Sequence, residues 1–221
     1  MLEVLYDGYG NETLKLLSPD PIRSLGKADA HGRHLKCTAL QDFHINVFTV
    51  YSPFTFTVKF NREQNNVHVD GDNVLHKAEY NPDGSAEIQL YPQYVLRSSE
   101  SVLVQLLPPL LSVNKLPAYV ASGEYDISKW YRPVNTAFIV PKDVTELTIK
   151  EGDPLFSLRF VTKDNEPVKL IRQALSKEEE TLVNACMNVT NYKLGTKLSK
   201  LYELFGKFRQ SLKPKKCPFH R

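Results

Sequence analysis

The chain is short of cysteine, of long apolar runs and of glycine-rich loops, and each shortage removes a class of protein. Its three cysteines, Cys37, Cys186 and Cys217, are odd in number and far apart. No Cys-x-x-Cys pair or Cys/His ligand spacing accompanies them, which argues against a disulfide-stapled scaffold and against a structural zinc. His31 and His34 fall in a turn-rich segment without a recognised ligand spacing, so no metal and no cofactor are expected. The longest nearly apolar stretch, VLVQLLPPLLSV at 102–113, is broken by Pro108 and Pro109. It falls well short of the roughly 20 residues that a membrane-spanning helix needs. The first ten residues, MLEVLYDGYG, carry two acids and no base, unlike a signal peptide. The expectation is a protein neither secreted nor transmembrane, in a reducing interior. Walker and dinucleotide glycine patterns are missing, as is a Gly-x-Ser-x-Gly elbow. No cysteine stands beside a convincing base.

What remains is an ordinary globular composition, 42% hydrophobic and 24% charged over 221 residues, enough for one sizeable core. The net charge of +3 is unevenly spread. Lys193 to Arg221 holds nine Lys/Arg and one acid, Glu203, a local +8, which leaves −5 for residues 1–192 as the difference from +3. An acidic body with a basic tail points to contact with nucleic acid or another polyanion through Lys207, Arg209, Lys213, Lys215 and Lys216. The plainer alternative is an amphipathic helix with a lysine-rich polar face.

Periodicity divides the chain into three. Residues 1–35, rich in glycine and proline, read as an irregular N-terminal arm. Residues 36–172 read as a β domain. FTFTVKF at 54–60 alternates strictly, and FHINVFTV at 43–50 less cleanly. VLHKAEY and SAEIQLY flank the turn Asn-Pro-Asp-Gly at 81–84 as a hairpin. SVLVQLL, VNTAFIV, VTELTIK and LFSLRFV follow as further short strands, the pattern of a sandwich, barrel or clip. Residues 173–221 switch to helical period as a basic appendage. Ser176 and Glu179 form a capping box, and Leu198, Leu201, Phe205, Phe208 and Leu212 mark one face of a second helix from Thr196.

Chemistry-bearing residues concentrate in SGEYDISKWYRPVNTAF at 122–138, around the chain's single tryptophan. Tyr125, Asp126, Trp130, Tyr131, Arg132 and Asn135 make it the leading candidate for a binding site. Trp130 and Tyr131 have the large, stiff, amphipathic profile of a contact anchor. On adjacent strand positions they would point to opposite faces, one to the core and one to a partner. Arg132 is placed to pair with Asp126 as a clamp within the loop. The plain alternative is that the whole loop is a structural corner with Trp130 in the core.

Residues 122–161 resemble part of the dUTPase-like family, which includes dCTP deaminases. Tyr131-Arg132 enters a strand, and Gly152-Asp153-Pro154 follows 20 residues after Arg132, before the apolar LFSLRFV. Arg97-Ser98-Ser99 is similar to that family's Arg-Ser-Ser phosphate-binding motif. The resemblance implies a mainly β fold, of dUTPase-like/β-clip or jelly-roll type, with the C-terminal helical segment appended. For activity it implies less. Asp126 stands five residues before Tyr131, further than the family's water-activating aspartate, and Pro133 replaces a glycine. The glycine-rich C-terminal arm has a basic helix in its place.

A second resemblance is to an uncharacterised family of tailed phages and some bacteria with the signature Phe-Asp-Ile-x-x-Trp-x-Arg-Pro-x-Asn-x-Ala-Phe. The chain has Tyr125-Asp126-Ile127, Trp130, Arg132-Pro133, Asn135 and Ala137-Phe138 at those positions. KCTALQDFHINVFTVYSPF at 36–54 is similar to the same family. By analogy with β-clip head-decoration proteins, this resemblance implies a phage-encoded, non-enzymatic structural or interaction protein in a larger assembly. Its partners would be other proteins or copies of itself, and its place the host cytoplasm or the virion. The alternatives are a nucleotide-binding or nucleotide-hydrolysing protein, using Arg97, Ser98, Ser99, Asp126, Tyr131 and Arg132, and a phage inhibitor of a host protein.

Overall fold

The computed structural model of the chain describes residues 1–9, 20–21, 37–71, 74–91, 93–110, 116–134, 136–192 and 195–212. Among them the fold is mainly β, with a helical segment at the C-terminal end. In chain order the strands are β1 (Leu2–Tyr9), β2 (Asp20–Pro21), β3 (Val47–Tyr51), β4 (Phe56–Asn61), β5 (Asn66–Gly71) and β6 (Leu75–Tyr80). Next come β7 (Ala86–Leu90), β8 (Gln93–Arg97), β9 (Leu103–Leu107), β10 (Tyr119–Val120) and β11 (Gly123–Asp126). The last are β12 (Pro133–Val134), β13 (Ala137–Val140), β14 (Glu146–Ile149), β15 (Pro154–Val161) and β16 (Val168–Arg172). The helices are α1 (Thr38–His44), α2 (Lys177–Tyr192) and α3 (Leu198–Leu212). The strands form four sheets, ordered β12-β8-β1-β16, β10-β13-β7-β6, β11-β9-β15-β3-β2 and β14-β4-β5.

Period-two sequence became strand with the expected faces. In β4, Phe56, Val58 and Phe60 are buried while Lys59 faces out. The hairpin of β6 and β7 closes where Gly84 takes φ +85°, and its N–H donates to Asn81 O at 2.9 Å. SVLVQLL supplies β9, which lies between β11 and β15 within its sheet.

Two expectations change. Residues 2–9 are not irregular: LEVLY alternates Leu2, Val4 and Tyr6 into the core, and β1 lies between β8 and β16. The glycines at 8 and 10 masked that short alternation. The pairing of β1 with β16 is parallel, Leu2 opposite Val168, so the two ends of the β region meet in one sheet. Residues 43–44 are likewise the end of α1 rather than the start of a strand, with the His44 ring at 2.7 Å from Leu40 O. Phe43 then lies beneath the Arg159 guanidinium, 4.3 Å from ring centre to Cζ.

The main core gathers residues from all four sheets, among them Val4, Val58, Ile88, Leu96, Ile127, Phe138, Leu147 and Leu158. Arg62 ties its turns together. Its Nε donates to Gly84 O at 3.0 Å, Nη1 to Val144 O at 2.8 Å and Nη2 to Pro141 O at 2.8 Å. A second, separate cluster joins the β region to the helices. Val95, Trp130, Tyr131, Val183, Cys186, Leu201 and Phe205 are its buried members. Among the described residues, no helix is long and apolar enough to cross a membrane.

Candidate functional site

The turn after β11 connects the two cores. Ile127 N–H donates to Val102 O at 3.0 Å, which carries the β9–β11 pairing one residue further and sends Ile127 into the main core. Asp126 then reverses the chain. Its Oδ1 accepts from Ser128 N at 3.0 Å and Ser128 Oγ at 2.6 Å, an Asx-type turn. Oδ2 accepts from Ser101 Oγ at 2.9 Å and pairs with Lys129 Nζ at 2.7 Å. After this turn Trp130 and Tyr131 emerge on the other side, toward α2 and α3. Pro133 follows on β12, an edge strand, where its missing N–H interrupts no interior ladder.

Trp130 is 2% exposed and Tyr131 7%, and both belong to the second core. The Trp130 ring meets Tyr202 edge-on at 5.8 Å and Phe205 at 5.9 Å, and Tyr131 lies 5.9 Å from Phe205. The division between core and partner, which strand positions would impose, is not found; Trp130 takes the alternative place, in a core, and Tyr131 joins it. The segment from 130 to 132 is loop rather than strand, so strand alternation does not apply. Polar contacts fix the alignment. Asp126 N–H donates a hydrogen bond to Tyr202 Oη at 2.7 Å. Arg209 packs over the Tyr131 ring at 5.0 Å and donates to Ser128 O at 3.3 Å.

Arg97 holds the other end of the helical pair. It is 3% exposed at the end of β8; Nη2 donates to Gln173 O at 2.7 Å and Nη1 stands 2.6 Å from Glu179 Oε2. Glu179 is also the reciprocal partner of Ser176. Its carboxylate accepts from Ser176 N at 2.8 Å, and its own N–H donates to Ser176 Oγ at 3.2 Å. The expected capping box is therefore present, and Arg97 ties it to the sheet. Burial raises the Glu179 carboxyl, but the Ser176 N–H and the Arg97 charge outweigh that and hold it below its ordinary value.

The expected pair of Asp126 with Arg132 does not form: Lys129, Ser101 and Ser128 occupy the carboxylate instead, because the turn brings their donors nearer. Arg132 stands close enough to Tyr125 and Cys186 for its charge to oppose the burial that raises both groups, the Cys186 thiol to about 12. Tyr125 Oη, Arg132 Nε and Arg97 Nε are buried without a hydrogen-bond partner among the described residues. Ser98 is buried and its Oγ accepts from Glu100 N at 3.2 Å, whereas Ser99 is exposed. β12 pairs Pro133 with Val95, so the Arg97–Ser99 segment and the 126–132 loop share one neighbourhood. Asn135 lies outside the described residues, as do Lys213, Lys215, Lys216, His31 and His34. Of the other basic-tail candidates, Lys207 pairs with Glu203 at 2.8 Å and Arg209 lies on Tyr131.

Burying a large apolar side chain contributes about 1.5–3 kcal/mol, against about 1 kcal/mol for a neutral hydrogen bond. Trp130, Tyr131, Leu201 and Phe205 therefore supply most of the adhesion, and the polar contacts set the orientation. Asp126 adds a pH dependence. Burial raises its carboxyl, but the bonds from Lys129, Ser128 and Ser101 prevail and lower it overall. Its ionised form thus stabilises the fold above the ordinary carboxylate value near ~3.9, and the contribution is lost as pH falls through the lowered folded-state value. Asp126→Asn is expected to cost about 1–3 kcal/mol at neutral pH and distinctly less at strongly acid pH. Denaturant titrations at both pH values check this, and an equal deficit at the two would contradict it.

Ser101, Gln173 and the Tyr202 hydroxyl carry no local signal in the sequence that marks them as partners of this loop. The apolar spacing of α3 showed that it buries a face, but not that the face meets Trp130.

No family model matches the chain, and no curated protein matches it. Among solved structures, a mutant dUTPase from phage phi11 of S. aureus, described with a structural Mg(II) ion, is similar at 13% identity and a TM-score of 0.32. The alignment covers 59% of this chain and 86% of that one, a likeness too slight to bear on site or activity.

Proposed function

We propose that the chain is a non-enzymatic structural or interaction protein, phage-encoded and part of a larger assembly. Its 122–138 loop is the dock for its C-terminal helical pair. The observation that supports this most is the employment of the loop. Asp126, Trp130 and Tyr131, with Arg97 from β8, are all buried, and each is engaged by a partner within the chain. Residues that bind an outside ligand are held open toward it; these close onto helices. If the reading is right, quantitative mass spectrometry of purified particles finds the chain at a fixed ratio to the other components. Chain that stays monomeric in the lysate and is missing from particles would count against it.

A second reading has one observation in its favour. Arg132 Nε and Tyr125 Oη are buried without a hydrogen-bond partner among the described residues, and the Arg132 charge acts on Tyr125, chemistry suited to a nucleotide once the helices lift. A deoxynucleoside triphosphate at 100 times its dissociation constant would stabilise the protein by about 2.7 kcal/mol. Unchanged melting with all four triphosphates removes this reading.

A further inference from the structure

Two sheets end side by side without joining. β5 is the terminal strand of β14-β4-β5, and β6 is the terminal strand of β10-β13-β7-β6. Between them runs an open groove of about 440 Å³, lined by Asn66, Val67, Leu75, Ala78, Glu79 and Tyr80 among others. Tyr80 Oη reaches from β6 to Asn66 O at 2.8 Å, a carbonyl that the β4–β5 register turns toward Asn61. A side chain of tyrosine length makes that bridge where paired strands would use backbone. β5 and β6 are not hydrogen-bonded to each other, so the gap between them is wider than the ~4.8 Å of a paired strand.

The register shows which backbone groups face the groove. Phe60 N–H donates to Thr145 O at 2.9 Å, away from β5. Phe60 and Val67 stand opposite each other and so form a pair without mutual hydrogen bonds. The N–H and C=O of Val67 consequently turn to the outer edge, and those of Val69 follow with period two. On β6, Asn81 N–H donates to Ser85 O at 2.8 Å, which turns Asn81 and Glu79 toward β7. The backbone groups of Tyr80 and Ala78 are left on the outer edge. Among the described residues nothing pairs with these edges. The side chains of Val67, Val69, Ala78 and Tyr80 meanwhile pack on the main core, so what the edges offer is backbone.

Unpaired strand edges invite another strand, and proteins ordinarily cover or charge them. Here two such edges border one groove. Only an extended peptide carries donors and acceptors along both of its sides, so only a strand satisfies both edges together. We propose that the groove is a β-strand acceptor. An extended segment of a partner polypeptide enters it, pairs with β5 on one side and β6 on the other, and joins the three-stranded and four-stranded sheets into one. The segment needs free N–H groups on both sides, hence no proline, and small or β-branched side chains on its inward face. This surface would serve the assembly reading above but does not rest on the helical dock.

The test uses the full chain and the acetylated, amidated heptapeptide Lys-Thr-Val-Thr-Val-Thr-Lys, with a control peptide carrying proline at its centre. Amide hydrogen exchange is read at Val67, Val69, Ala78 and Tyr80. These amides are expected to exchange fast in the free protein. They should slow about tenfold with the first peptide at tenfold its dissociation constant, and stay fast with the control. Three results would overturn the proposal. One is no slowing at about 1 mM peptide, the weak limit of specific recognition. Another is equal slowing by the proline peptide, which would indicate side-chain contact alone. The third is slow exchange already in the free chain, which would mean that a segment of its own fills the groove.

Discussion

Trp130→Ala is expected to release α2 and α3 from the β region while leaving that region folded. The side chain is 2% exposed and lies among Tyr202, Phe205 and Tyr131. Truncating a buried aromatic costs about 3–5 kcal/mol through lost transfer energy and the cavity left behind. At about 1.4 kcal/mol per tenfold, that shifts the docking equilibrium by roughly a hundredfold to several thousandfold. The selectivity follows from the two cores being separate. Val4, Val58, Ile88, Phe138 and Leu158 belong to the main cluster, and Trp130 does not. Native-state hydrogen exchange is therefore expected to accelerate at the amides of α2 and α3 and to stay unchanged in β4, β9 and β15. Uniform acceleration would mean that the helical pair and the β region unfold as one unit.

Glu179→Gln is the second large effect, and its sign comes from which partner is left behind. The mutation removes the charge opposite Arg97, whose guanidinium is 3% exposed and has Gln173 O as its other partner. Breaking a fully buried pair costs about 3–5 kcal/mol. Glu179 is partly exposed, so solvent screening lowers the expectation to about 2–3 kcal/mol. Glutamine retains the capping geometry toward Ser176, which separates the loss of charge from the loss of the cap. The double variant Arg97→Met/Glu179→Gln is expected to recover part of the deficit, since no unpaired charge then remains buried. Equal urea midpoints for the wild type and Glu179→Gln would show that the pair contributes nothing.

The legible parts of the molecule were those governed by local chemistry. The Phe56/Val58/Phe60 alternation, the Gly84 turn, the Ser176–Glu179 box and the apolar face of α3 all depend on residues within a few positions of one another. Such patterns carry their own physical reason. What escaped was the pairing of distant elements. β1 joins β16 across the length of the β region, and its short LEVLY alternation sits beside glycines that suggest turns. At the candidate site, residue types were right and their employment was not. Asp126 and Arg132 look like partners in sequence, yet Lys129 and two serines reach the carboxylate first. Trp130 and Tyr131 would divide between two faces only on a strand. The Asx turn at Asp126 abolishes that alternation and directs both rings to a helix about 70 residues downstream.

Trp130 is the chain's single tryptophan, so its fluorescence reports the helical dock without interference. In the native protein its emission is predicted to lie well to the blue of the unfolded chain, with little quenching by acrylamide. Both properties should be lost in Glu179→Gln at urea concentrations where the β-sheet circular dichroism is still native. Red-shifted, readily quenched emission from the native wild-type chain would contradict the account, because it would place Trp130 in water rather than beneath α3.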